Sequence, residues 1–292
     1  MLNRIVTAAV LMVLLAAGGT SGARAQQPIG LEQQAANPSG WTFNIAPYLW
    51  MPSVHANLSL NLPPALGGTV SADPSIGFGD LVSHLNFAAM AAADARYDRF
   101  SLLTDFIYMN LGGTAARFRS VNFPNHPSIP ISAGVQDSQS LNLNATIWTA
   151  AGGYTLAQGD WGNFDAIAGF RFLELNTRIN YSLHLTIMGP RGNGATFGGV
   201  GSVSGSGVIW NGIGGFRGRI RVGNDGLFIP YYFDIGAGGS NLTWQISSGL
   251  GYHVGPVDLS LTYRYLSFEQ GSSSVVQRLW IQGPMLMANF TF

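Results

Sequence analysis

The sequence predicts an all-β protein, a closed antiparallel transmembrane β-barrel of about ten strands. Three observations support this fold class. Apolar residues alternate with small or polar residues along most of the chain, which is the period of a strand and not of a helix. Only 10% of the 292 residues are charged, against about 25% in typical soluble domains. Segments of ~10 residues lie between turn signals, and a tilted strand of that length can cross a bilayer.

The N-terminal 25 residues have the organisation of a signal peptide. Arg4 supplies a positive charge, an apolar run extends from Ile5 to Ala17, and Ala23-Arg24-Ala25 offers a cleavage site. At about 13 residues this run is shorter than the ~20 that a membrane-spanning helix needs. We therefore predict a signal peptide over residues 1–25, a flexible lead-in over 26–40 and a barrel over 41–292. The alternative is a buried N-terminal helix.

The number of strands depends on how residues 41–62 are interpreted. Alternation starts at Trp41 and resumes after Pro52, and a proline inside a strand predicts a bend or bulge. If residues 41–62 form one bent strand, the barrel has ten strands and both of its ends lie on the same rim. The sequence also allows eight or twelve strands. The expected connections are short turns near residues 97, 159, 224 and 255, a short one at 238–241, and longer loops at 63–83, 112–137, 189–206 and 271–274.

Composition and motifs argue against several other classes. The formal net charge is zero, so nothing indicates nucleic-acid binding. Cysteine is absent, which excludes disulfides. The sequence has no H-E-x-x-H motif and no clustered metal-ligand spacing, and no helix pattern follows the glycines of 192–215, so we predict no metal and no cofactor. A soluble periplasmic β-sandwich or lipocalin-like barrel stays open as the alternative fold.

Charged residues define the predicted lumen. Placing the apolar side of each strand against lipid leaves five acidic and six basic residues facing inward. Turning an arginine towards lipid near the midplane would cost about 2–4 kcal/mol. We expect Arg171 and Arg264 to be buried and paired with aspartates, and Arg264→Ala to lower the unfolding midpoint far more than Arg191→Ala in a loop. The inward set is Asp94, Arg96, Asp105, Asp165, Arg171, Arg217, Arg219, Arg221, Asp234, Asp258 and Arg264.

Such a lumen has two possible uses. It is either a packed interior held by structural salt bridges or a narrow polar pore for small solutes. In the second case Arg217, Arg219 and Arg221 would form an anion-attracting ladder. A third interpretation of the ladder is an arginine-rich rim neutralised by Asp225 and lipid phosphate. We expect the packed, structural interior, and the sequence identifies no solute.

An enzymatic role has little support in the sequence. No G-x-S-x-G motif occurs. His253 shares a strand face with Ser247 and lies near Asp258, which is the only basis for a lipid-modifying hydrolase or acyltransferase. We predict no catalytic residues. Aromatic residues towards strand ends fit the girdles that mark membrane interfaces, namely Trp41, Trp50, Trp210, Tyr263, Tyr265 and Trp280.

The C-terminus carries a resemblance to a known class. The ending Met287-Ala288-Asn289-Phe290-Thr291-Phe292 resembles that of Gram-negative outer-membrane β-barrel proteins, whose last strand ends in an aromatic residue preceded by alternating apolar positions. Trp41 to Trp50, Gly169 to Leu173 and Gly249 to Leu266 also resemble a small-barrel branch of that class. The resemblance implies location in the cell outer membrane after signal-peptide removal, contact with outer-membrane lipids and lipopolysaccharide, and recognition of Leu286, Phe290 and Phe292 by the barrel-assembly machinery. It implies no activity.

Overall fold

Strands make up nearly all of the described chain. The computed structural model describes residues 40–61, 69–72, 75–114, 140–188, 194–239, 241–271 and 276–292. The predicted signal peptide, residues 26–39 of the lead-in, and Arg191 lie outside these residues. The elements are β1 (Trp41–Trp50), β2 (Ser53–Asn61), β3 (Thr69–Ala72), β4 (Ser75–Ile76), α1 (Phe78–Ser83), β5 (Leu85–Tyr97), β6 (Phe100–Thr114), β7 (Ser140–Gly159), β8 (Gly162–Met188), β9 (Gly194–Val222), β10 (Leu227–Gly238), β11 (Asn241–Val254), β12 (Val257–Glu269) and β13 (Val276–Thr291).

The sheet closes on itself. From β5 to β13 each strand pairs antiparallel with the next, and β1 pairs with both β5 and β13. At the closing seam the Phe43 N–H donates to the Phe292 carbonyl at 3.1 Å, and the Phe292 N–H donates to the Phe43 carbonyl at 2.8 Å. A closed barrel leaves no unpaired edge strand. The predicted closed antiparallel barrel is therefore confirmed.

The first barrel strand is bent at Pro52. Trp50 lies opposite Met285 and Ser53 lies opposite Gln282, so the same register resumes on the far side of the interruption. Proline has no N–H to donate to the ladder, and the adjacent Met51 N–H donates to the Pro284 carbonyl at 2.9 Å. Strands β1 and β2 thus act as one strand beside β13. This gives a ten-stranded ring and decides against eight or twelve strands.

Two predicted loops are wrong in their extent. The predicted loop at 63–83 contains β3 and β4, both paired with β2, and the short helix α1. The predicted loop at 189–206 is mostly strand, because Met188 pairs with Gly194 and Leu183 with Gly199. Glycine is depleted in strands, which made this segment resemble a loop, but the long partner strand supplies its backbone hydrogen bonds. With 27 and 29 residues, β8 and β9 far exceed the ~9–11 residues that cross a bilayer.

The short turns lie where the sequence placed them. They join β5 to β6, β7 to β8, β9 to β10 and β11 to β12. Gly223 and Gly226 in the third turn have φ of 68° and 82°, a conformation that glycine adopts without steric cost. Both ends of the barrel lie on this rim, because Trp41 is opposite Tyr97 at the end of β5. Among the described residues, no helix is long and apolar enough to cross a membrane.

The barrel wall has one polar and one apolar face. Along β12, Asp258 and Arg264 are buried inside the ring, while Leu259, Leu261 and Tyr263 are exposed outside. Successive strand residues point to opposite faces, so the same alternation divides the other strands. The charges therefore collect in the interior.

Candidate functional site in the barrel interior

The centre of the interior is occupied by a two-armed ion pair. Arg171 on β8 donates from Nη1 to Oδ1 of Asp234 at 2.9 Å and from Nη2 to Oδ2 at 2.5 Å. Both side chains are 0% exposed. Thr149 accepts from Nε of Arg171 at 3.2 Å, and Thr243 accepts from Nη1 at the same distance. These contacts replace the hydrogen bonds with water that the guanidinium loses on burial.

A second ion pair crosses the bore. Arg264 on β12 lies 2.7 Å from Oδ2 of Asp105 on β6. Three strands, β13, β1 and β5, separate these two strands around the ring. Tyr48 bridges the pair, because its hydroxyl donates to Oδ1 of Asp105 at 2.5 Å and accepts from Nη1 of Arg264 at 3.3 Å. The guanidinium also stacks over the Trp50 ring, 4.9 Å from its centroid.

Gln245 connects the two ion pairs. Its Oε1 accepts from Nη2 of Arg171 at 3.1 Å and from Nη2 of Arg264 at 2.8 Å. The resulting group, hereafter the central layer, consists of Tyr48, Asp105, Arg171, Asp234, Gln245 and Arg264. It joins six strands of the ring and contains two positive and two negative charges. The network predicted from the sequence did not include Tyr48 or Gln245.

A second charged layer lies nearer the short-turn rim. Arg96 contacts Oδ2 of Asp165 at 2.5 Å, and Arg217 contacts Asp94 as well as Asp165, the latter at 3.7 Å. Thr155 accepts from Arg96 at 2.7 Å and donates to Asp165 at 2.8 Å. The charges of these four side chains also sum to zero.

The predicted arginine ladder is largely neutralised. Arg217 is paired as described, and Arg219 contacts Asp258 at 2.8 Å. Asp258 also contacts Nδ1 of His253 at 2.6 Å. Arg221 is half-buried and forms no ion pair with any described residue. All five inward aspartates and five of the six inward arginines therefore have a partner of opposite charge within the described chain.

Beyond the central layer, the inward side chains of the described residues are mainly apolar. On β6, Asp105 is followed on the same face by Ile107 and Met109, both buried. They belong to a buried apolar cluster in this part of the bore, with Trp50, Ile147, Leu173, Ile209, Leu266, Phe268, Leu279, Ile281 and Met285 among its members. From the short-turn rim to the long-loop rim, the bore therefore passes from two charged layers to an apolar core.

Trp50 corrects one expectation. It was predicted to lie in an interfacial girdle, but it is 1% exposed and its indole N–H donates to the Gly283 carbonyl at 3.2 Å. Alternation places it on the inward face with Tyr48, and nearness to a strand end does not determine which face a residue occupies. The other predicted girdle residues differ in exposure. Trp41, Trp210 and Tyr263 are exposed, whereas Tyr265 and Trp280 are half-buried.

Aromatic side chains form two belts on the outer surface. The belt near the short turns contains Trp41, Tyr97, Phe100, Tyr154 and Tyr252, and the other contains Phe87, Tyr108, Trp148, Phe172, Trp210 and Trp244. Phe100 and Tyr108 are eight residues apart on β6, which at ~3.4 Å per residue and a tilt of ~40° gives about 20 Å along the barrel axis. An outer-membrane barrel has an apolar band of ~25 Å. Between the belts, no charged side chain of the described strands points outward.

The residues considered for catalysis do not form a triad. Ser247 and His253 are six residues apart on one strand, which separates them by about 20 Å. His253 and Asp258 are in contact, as the sequence suggested, but Asp258 is also bound by Arg219. A nucleophilic serine must lie within hydrogen-bond reach of its base. His253 therefore cannot act as the base for Ser247.

The C-terminal residues of the predicted assembly signal lie on the outer wall. Leu286 and Phe292 are exposed there, and Phe290 is half-buried opposite Ile45 and Val257. Their positions fit a lipid-facing strand. Their role as an assembly signal stays a prediction.

Comparison with known proteins gives likenesses of architecture only. No protein-family model and no curated protein matches the sequence. Among solved structures, the outer membrane protease OmpT from Escherichia coli is 11% identical with a TM-score of 0.49, covering 88% of this chain and 98% of its own. Ail, the attachment invasion locus protein of Yersinia pestis, is 8% identical with a TM-score of 0.32, covering 87% and 99%. Neisserial surface protein A is 13% identical with a TM-score of 0.28, covering 87% and 100%.

Proposed function

We propose that this chain is an integral barrel of the Gram-negative outer membrane with a closed, salt-bridged interior and a structural role. The observation that carries the proposal is the central layer, in which Arg264–Asp105 crosses the bore and is joined through Gln245 to Arg171–Asp234. The apolar core beyond it adds a second barrier. A hydrated ion would have to displace paired charges and then cross an apolar region.

The outer wall supports the membrane location. Two aromatic belts about 20 Å apart bound a surface of large exposed apolar side chains, including Leu102, Ile246 and Leu261. Exposed apolar surface of this extent is unfavourable in water and favourable in lipid. The closed ladder also satisfies the backbone hydrogen bonds that hydrocarbon cannot.

The geometry favours this role over a pore and over an enzyme. An anion-conducting pore would need free positive charges along the bore, but Arg217 and Arg219 are each bound by aspartate. An acyl-transferring enzyme would need a nucleophile beside a base, and the His253–Asp258 pair is engaged by Arg219 instead. We therefore propose that the paired charges stabilise the barrel and do not bind a substrate.

Membrane fractionation and liposome swelling test this proposal together. The protein should be recovered from the outer membrane and migrate faster on gels when unboiled, as a folded barrel does. Liposomes containing the folded protein should swell in small sugars no faster than empty liposomes. Recovery in the soluble periplasmic fraction would refute the membrane location, and rapid swelling would refute the closed interior.

A further inference from the structure

A row of asparagines crosses the outer surface beyond the long-loop aromatic belt. Asn110 on β6 lies directly opposite Asn144 on β7, which lies directly opposite Asn176 on β8. Asn86 joins the row from β5, where a shift of register accompanies its outward position. We call Asn86, Asn110, Asn144 and Asn176 the asparagine row. Asn110 is half-buried and the other three are exposed.

Hydrogen bonds order the row. Nδ2 of Asn86 donates to Oδ1 of Asn110 at 2.8 Å, and Nδ2 of Asn110 donates to Oδ1 of Asn144 at 2.5 Å. Asn176 donates to Oε1 of Glu174 at 2.9 Å. An asparagine amide has two N–H donors and an oxygen with two lone pairs. Each bond uses one donor and one lone pair, which leaves further donors and acceptors facing outward at regular spacing.

The position of the row points to the lipid headgroup layer. Asn110 follows the belt residue Tyr108 by two positions, and Asn144 lies four positions beyond Trp148. At ~3.4 Å per residue the row is about 7–14 Å beyond the belt along the strands. Aromatic belts lie at headgroup level, so the row, which is farther from the hydrocarbon, lies where the sugar part of a glycolipid headgroup extends towards water. The row occupies β5 to β8, whereas the long-loop side of β11 to β13 carries aromatic side chains, Trp244, Tyr265 and Trp280, and no such row.

The chemistry of the row favours hydroxyl groups over phosphate. The row itself is uncharged, and the charged side chain that it contacts, Glu174, is negative and would repel a phosphate. Neutral amides pair well with hydroxyls, which both donate and accept hydrogen bonds. The exposed ring of Phe87, which lies directly opposite Asn110, and that of Trp148, four residues from Asn144 towards the hydrocarbon, offer apolar faces. The carbon face of a sugar ring can pack against such faces.

We propose that the asparagine row, with Phe87 and Trp148, binds the sugar headgroup of a glycolipid in the surrounding leaflet. The occupant is a membrane-anchored saccharide, because the row is continuous with the lipid-facing wall. This inference rests on the proposed membrane location, and it adds a lipid partner to a barrel whose interior is closed.

The test uses the folded full-length barrel in phosphatidylcholine nanodiscs that contain digalactosyldiacylglycerol, a glycolipid without phosphate. Glycolipid that remains bound after gentle detergent release is counted by native mass spectrometry. The N110A/N144A double variant should retain the glycolipid about tenfold less well, since it loses several hydrogen bonds. N110S/N144S provides a second variant if the first folds poorly. The matched control removes two exposed amides at the opposite rim, Gln158→Ala with Asn224→Ala, and should bind like the wild type.

Three results would overturn the inference. Equal retention by the double variant and the control would show that the row does not bind the headgroup. Equal retention of phosphatidic acid would show that the surface does not select sugar. Displacement of the glycolipid by free digalactose at low concentration would show a site for soluble saccharide. Failure of the protein to insert as a heat-modifiable barrel would instead refute the proposed function, so the two failures are distinguishable.

Discussion

Arg171 and Asp234 form a two-armed ion pair from strands that are not neighbours, with β9 between them and both side chains fully buried. On β9, Gly215 lies opposite Asp234, and a Cβ added there would meet the backbone of Phe233 and Asp234. The glycine therefore permits the close approach of β10. The pair fixes the relative positions of β8 and β10 on the two sides of β9.

Removal of one partner from this pair should be strongly destabilising. Arg171→Ala leaves the Asp234 carboxylate buried without its cation, which we expect to lower the free energy of unfolding by about 3–5 kcal/mol. Urea unfolding of the barrel in detergent micelles or liposomes measures this change.

The control for Arg171→Ala is Arg278→Ala, because Arg278 and Glu269 form a more exposed ion pair at the other rim, with N–O distance 2.6 Å. Exposed pairs contribute about 0–1 kcal/mol. If the two variants lost similar amounts of unfolding free energy, burial of the Arg171 pair would make no difference to its contribution to stability.

The Tyr48 hydroxyl bridges Asp105 and Arg264, so Tyr48→Phe should remove two hydrogen bonds without opening a large cavity. We expect a loss of about 1–3 kcal/mol in the free energy of unfolding, because both bonds involve a charged group. Tyr97→Phe, on the exposed outer belt, is the matched control and should have little effect. A neutral result for Tyr48→Phe would show that the ion pair does not depend on the bridge.

A charged side chain on the outward face should destabilise the barrel more the deeper it lies in the bilayer. Leu261 is exposed near the middle of β12, and Leu261→Arg should cost about 2–4 kcal/mol in a lipid bilayer. An arginine at the outward-facing rim position Val254, Val254→Arg, should cost about 0–1 kcal/mol, because Val254 is exposed at the end of β11. Unfolding in liposomes compares the two, and equal costs would indicate that Leu261 does not face hydrocarbon.

The C-terminal phenylalanine should matter for assembly more than for stability. Phe292 is exposed and its backbone closes the seam with Phe43; the backbone bonds survive Phe292→Ala. We expect the variant to refold in micelles with nearly unchanged stability and yet to reach the outer membrane in reduced amount. Phe100→Ala, at a similarly exposed ring, should assemble normally. If Phe292→Ala and Phe100→Ala reached the outer membrane in equal amounts, Phe292 would not act as an assembly signal.

The sequence predicted the wall of the barrel better than its interior contacts. Strict alternation determined which face Arg264 and Asp258 occupy. Successive strand residues point to opposite faces, so when the apolar face is against lipid these two must point inward. It did not show that Arg264 would pair with Asp105 across the bore, because that contact depends on the curvature of the closed ring. The bridging by Gln245 was missed for the same reason.

Two errors have local causes. Trp50 was assigned by its nearness to a strand end, although its parity with Tyr48 placed it inside. The segment from Gly194 was assigned as a loop from its glycines, although its pairing with β8 depends on the backbone alone. Composition is a weak guide where backbone pairing determines the structure.

Single-channel recording in planar bilayers tests the central claim most directly. The wild-type barrel, with the central layer and apolar core intact, should give no conductance steps at moderate voltage. The same preparation must show heat-modifiable migration, so that an absence of conductance cannot be due to unfolded protein. Steady, uniform steps from the wild-type protein would contradict the account, because they would require an open water-filled path through the layer of Arg171, Asp234 and Arg264.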